Sequence, residues 1–185
     1  MLPATYFYCY TFEKMTEFII QHPFRSGHVI DIHTTTLDLY RLLSSFYSSR
    51  KFAELNTSLH DDPVNYLLQF EEFEITRILT STAITARIID DREERYLNDY
   101  DTTCGQLIKN LENIEEVVEL TLREACNKII HANRVHYDVS ECNGNKYLNP
   151  KMFYYGKLNG KEWKAILDIE RYVFNFISFV ATQTP

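Results

Sequence analysis

Acid–base or phosphate chemistry needs a titratable group beside a polar or cationic partner, and the most patterned set of this kind lies in TLREACNKIIHANRVH, residues 121–136. Arg123, Asn127 and His131 recur there at four-residue spacing. Thr121-Leu-Arg-Glu124 has the form of a capping box, in which the Thr oxygen accepts the Glu124 amide and the carboxylate returns to the Thr amide. A helix is therefore expected from Leu122 to about Ala132. With Leu122 at zero and about 100° per residue, Ala125, Cys126, Ile129 and Ile130 fall between about 300° and 80°, and Arg123, Asn127 and His131 at about 100°, 140° and 180°. The row is polar and points away from the expected core. One reading makes it a site, because an imidazole with a reference pKa of about 6.5 offers both protonation states near neutrality. The other makes it a solvated face whose His sits at a helix C-terminus, where the dipole favours a cation.

Other chemistry-bearing residues are less ordered. His28, Asp31 and His33 are suitable metal donors, with His131, His136 and Asp138 as further ligands, but their spacing fits no metal motif and no metal site is expected. The acid pairs Asp61-Asp62, Glu71-Glu72, Asp90-Asp91 and Glu115-Glu116 read as helix ends or solvated faces. No Glu-x-x-His pair of a di-iron bundle occurs, and the five glycines form neither a phosphate loop nor a nucleophile elbow, so no cofactor is expected. Met152-Phe153-Tyr154-Tyr155 and Trp163 could stack nucleobases or close a small core.

The elements that would position these residues are mostly helical in pattern. Phe12, Met15 and Ile19 form a short helical stripe ending at His22-Pro23. Leu37, Tyr40, Leu43 and Phe46 or Tyr47 mark a helix from about Thr34 to Ser49. Asp62-Pro63 has the form of a cap and first-turn pair, opening a helix expected to be the longest in the chain. Its stripe runs through Val64, Leu67 or Leu68, Ile75, Ile78 or Leu79, Ala86 and Ile89. Between Cys104 and Thr121 the spacing fits one long continuing helix, but the capping box at Thr121 favours a new helix there, preceded by a short strand pair or an irregular segment. RVHYDV alternates, PKMFYYGKL is β-prone, and Asn159-Gly160 before KEWKAILDI signals a hairpin, because both residues accept positive φ. A last helix is expected from about Ile169 to Ala181, with Tyr172, Phe176 and Phe179 or Val180 on one face.

The expected fold is mainly α: a single helical-bundle domain over 1–185, with a small antiparallel hairpin or sheet at about 134–168 before the C-terminal helix. Apolar residues make up 45% of the chain, with 12 Phe and 13 Tyr, enough for one substantial core. The net charge of -7 argues against a broad phosphate-binding surface, so nucleic-acid contact must be local. Cys9, Cys104, Cys126 and Cys142 form no CxxC pair, no stretch has membrane-span length, and MLPATYFYCYTFEKM lacks a signal-peptide pattern. A cytoplasmic protein with reduced thiols and no membrane partner is expected.

Asn127-Lys-Ile-Ile-His131, late in a helical pattern, resembles the signature of the HEPN superfamily: Arg, a polar residue, three more residues and His. Cys126 occupies the arginine position, with Arg123 one turn earlier or Arg134 just after the helix as replacement. The resemblance implies a homodimer whose paired helices line a cleft, and a metal-independent ribonuclease of a toxin–antitoxin or defence system, or a degenerate relative. His131 would then be the acid or base, Asn127 would orient the phosphate or imidazole, and Arg123 or Arg134 would stabilise the phosphorane. The alternative is a non-catalytic dimeric module with a protein partner.

Overall fold

The computed structural model describes residues 30–56, 63–92, 102–113 and 116–181. The stripe of Phe12, Met15 and Ile19, the donor His28 and the proposed cap Asp62 lie outside them. In chain order the elements are α1 (Ile32–Leu55), α2 (Pro63–Leu68), α3 (Glu71–Arg92), β1 (Thr103–Ile108), β2 (Val117–Thr121) and α4 (Leu122–His131). They continue with β3 (Arg134–Cys142), β4 (Asn145–Leu158), β5 (Lys161–Asp168) and α5 (Ile169–Ala181).

The expected mainly-α bundle is overturned. The strands form one five-stranded antiparallel sheet of order β2-β1-β5-β4-β3, which makes this a mixed α/β fold. The 134–168 segment supplies three strands, as its alternation and Asn-Gly turn suggested. What enlarges the sheet is β1: it pairs with β2 on one side and with β5 on the other, Leu107 standing opposite both Val118 and Ala165. Local patterning reveals a hairpin, whereas pairing between strands this distant in sequence leaves no local trace.

Strand alternation gives the sheet two unlike faces. Leu107, Met152, Tyr154, Trp163, Ala165 and Leu167 are buried and meet the helices on one face. α5 adds Tyr172, Phe176 and Phe179, α3 adds Ile75, Ile78 and Leu79, and α1 adds Leu39, Leu42 and Phe46 to the same core. Thr82 and Tyr172, both buried, satisfy each other through hydroxyls 3.0 Å apart. The opposite face carries Gln106, Phe153, Tyr155, Lys164 and Ile166, all exposed or half-buried, with Ile108 buried at the end of β1, and among the described residues no helix covers it.

Two helical expectations need correction. α3 does not continue from Pro63: Gln69 and Phe70 form a turn after α2, and the helix restarts with Glu71, Glu72 and Glu74 in its first turn, where the dipole favours acids. With 22 residues it is shorter than the 24-residue α1. The buried stripe of α1 is Leu39, Leu42, Phe46 and Ala53, while the expected Leu37 and Tyr40 are 45% and 69% exposed. Asp38 is buried within that stripe because Arg77 reaches it from α3 at 3.1 Å. Among the described residues no helix is long and apolar enough to cross a membrane.

Candidate functional site

α4 spans Leu122–His131 and is capped as the sequence suggested, with Thr121 Oγ1 accepting the Glu124 amide at 3.3 Å. The Glu124 carboxylate turns the other way, accepting from Asn127 Nδ2 at 3.1 Å and standing 3.5 Å from Lys128 Nζ. Leu122, Ala125, Cys126 and Ile129 are buried, and Ile130, expected in the core, is 36% exposed. Cys126, at the arginine position of the resemblance, points into the core. Burial pushes its thiol up to about 12 and that of Cys104 up to about 11, so neither is a ready nucleophile.

The four candidate residues go to different places. Arg123 Nε donates to Asp90 Oδ2 at 2.8 Å, and Arg87 Nη1 reaches the same oxygen at 2.9 Å. Asp90 is fully buried, so Arg123 neutralises a charge between α3 and α4. Asn127 is half-buried and held by Glu124. His131 is exposed at the last turn of α4. Arg134 lies beyond the helix, in β3, on the uncovered face of the sheet. With Arg123 bonded to Asp90 and Asn127 to Glu124, the row is not gathered around His131.

Arg134 belongs to a different cluster, built by strand register. Phe153 and Tyr155 share that face of β4; His136 stands opposite Phe153 and Arg134 opposite Tyr155 on β3, while Ile166 and Lys164 flank them on β5. Lys164 Nζ lies 4.8 Å from the centre of the Phe153 ring and 5.6 Å from that of Tyr155. The Arg134 guanidinium is 5.1 Å from the Tyr155 ring, and the His136 ring is 5.1 Å from it at a 53° tilt. Two half-accessible rings thus carry three cationic or protonatable neighbours. Phe153, Tyr155, Arg134 and His136 were each visible in the sequence in unrelated roles. What unites them is β alternation read through the register that Asn159-Gly160 and a second Asn-Gly, at 143–144, impose. Lys164 was missed, although it follows Trp163 with the parity that turns it outward.

On the helical face, a cleft of about 700 Å³ beside α4 is floored by Leu107, Val118 and Trp163 and rimmed by Lys128, Lys161 and Glu124. Lys128 Nζ sits 4.7 Å above the Trp163 ring, held between ring and carboxylate. Asp31, a donor in the metal reading, instead caps α1 by accepting the Thr34 amide at 3.1 Å, and among the described residues no group of three or more metal donors converges. Comparison with protein-family models, with curated proteins and with solved structures gives no match.

Proposed function

We propose that this protein acts by binding rather than by turnover, and that its working surface is the uncovered sheet face around Phe153 and Tyr155. The supporting observation is the unequal commitment of the two cations offered by the sequence. Arg123 is fixed on buried Asp90, whereas Arg134 stands over Tyr155 on the open face. A ribonuclease built on His131 would need a cation free to meet a developing phosphorane: Arg123 can serve only by leaving a carboxylate that burial makes costly to abandon, and Arg134 lies over the Tyr155 ring on the sheet rather than on the helix of His131.

The test compares the wild-type protein with Arg123→Ala and His131→Ala on single-stranded RNA with and without chelator. The expected outcome is no cleavage dependent on His131, with Arg123→Ala lowering unfolding stability by about 2 kcal/mol because Asp90 keeps only part of its compensation. Metal-independent cleavage that His131→Ala abolishes in a folded protein would overturn the binding reading and favour the ribonuclease.

A further inference from the structure

We propose that the occupant of the uncovered sheet face is a single-stranded nucleic acid, its bases stacked on Phe153 and Tyr155 and its phosphates met by Arg134 and Lys164. This rests on the reading of that face as the working surface and adds the identity of the partner.

Charge complementarity is local and selective. In a chain of net charge -7, the four cross-strand neighbours of the two rings are Arg134, His136, Lys164 and Ile166, with no carboxylate among them. The acids on the same face lie further out: Asp138 is two residues beyond His136 on β3, Glu162 meets Lys157 at 3.4 Å and Asp168 meets Arg171 at 3.8 Å. Glu119 stands on the edge strand β2, beyond β1. The cations nearest the rings, Arg134 and Lys164, therefore favour an anionic ligand at the centre of the face, where no carboxylate stands opposite either ring.

Geometry selects the type of anion. Residues two apart on a strand project about 7 Å apart on one face, roughly twice the 3.4 Å repeat of stacked nucleotides, so a strand with its bases splayed can place one on each ring. A duplex keeps its bases inside and offers this sheet only phosphates. Lys164 and Arg134 now rest over the rings, but both are long side chains that can swing to the ring edge. There a phosphate takes the cation while a base takes the ring.

The experiment titrates labelled RNA and DNA 12-mers of one mixed sequence, the matching duplex and inorganic polyphosphate against the full chain, following anisotropy across a salt series. Binding of a single strand in preference to duplex and polyphosphate is expected. Tyr155→Ala should weaken it about tenfold, and Tyr155→Leu, which keeps the apolar bulk, should weaken it similarly if the π face is what matters. Arg134→Ala with Lys164→Ala should lower the salt slope by about 1.4, two phosphates at about 0.7 each. Phe174→Ala, on the exposed side of α5, is the control and should change nothing. The two single-strand arms decide between RNA and DNA, and preference for either supports the proposal.

No binding, or equal binding of polyphosphate unaffected by the Tyr155 variants, overturns it. So does a dimer in sedimentation that Tyr155→Ala dissociates, since the face would then meet a second copy. Product lengths from the same tubes separate the two readings. Tyr155-dependent binding accompanied by cleavage sinks the binding-only function and leaves this inference; neither binding nor cleavage sinks this inference alone.

Discussion

Glu71 carries a carboxylate that folding half removes from water. Ser49 donates to Oε2 at 3.1 Å and itself accepts the Leu148 amide at 2.9 Å, while Oε1 is buried without a hydrogen-bond partner among the described residues. Burial, reinforced by the charge of Glu72 and opposed by the Ser49 bond, holds the acid above the ordinary carboxylate range. A raised folded-state pKa means that the native state binds more protons than the unfolded chain between the two values. Stability therefore falls as pH rises through that window and stays lower above it. Glu71→Gln should accordingly stabilise the protein at about pH 8 and change it little at about pH 4, as read from urea midpoints. An equal effect at both pH values would show that charge is not the cause. Residues of this kind are where the sequence says least. Glu71-Glu72 is legible as a helix-end pair, and the helical arithmetic does turn Arg123 away from the core. Ser49 and Asp90, which decide what Glu71 and Arg123 do, arrive from other elements.

Strand β1 depends on one backbone irregularity. Between Thr103 and Gln106 the register against β2 slips by one residue, and Gly105 takes φ +146°, with a Cβ there overlapping the Ile166 carbonyl oxygen. The bulge lets Cys104 and Leu107 both bury. Gly105→Ala should cost more than about 2 kcal/mol in chemical denaturation, from strain and displacement of β5 together; wild-type stability would mean that the bulge tolerates a side chain. Elements whose punctuation is local were read well. Thr121 opens α4, α5 occupies Ile169–Ala181 as its aromatic spacing suggested, and Asn159 and Gly160 take φ of 51° and 80°. Asn143 and Gly144, at 53° and 79°, give the same signal, overlooked because the residues around them are polar. The break at Gln69-Phe70 and the buried face of α1 are set by packing between α1 and α3, which periodicity within either helix does not report.

At the scale of the molecule, the sheet was legible only in its sequence-adjacent part. β3, β4 and β5 form a meander closed by two tight turns, but β1 reaches β5 across α4 and three intervening strands. The same asymmetry bears on the order in which the chain can assemble. Closing a short turn precedes closing a long loop, so the meander is the natural nucleus and β1 with β2 the late addition. Substituting Gly160, whose positive φ the second turn requires, should slow refolding more than it speeds unfolding. Leu107→Ala should do the reverse, at a total cost of about 3 kcal/mol. Chevron plots of the two variants test this, and a Leu107→Ala effect confined to the refolding arm would place β1 in the nucleus instead. If the meander does form first, the aromatic and cationic cluster of Phe153, Tyr155, Arg134 and Lys164 is complete before the sheet is. The chain would then present a charged, ring-bearing ribbon to its surroundings while its hydrophobic core is still being closed.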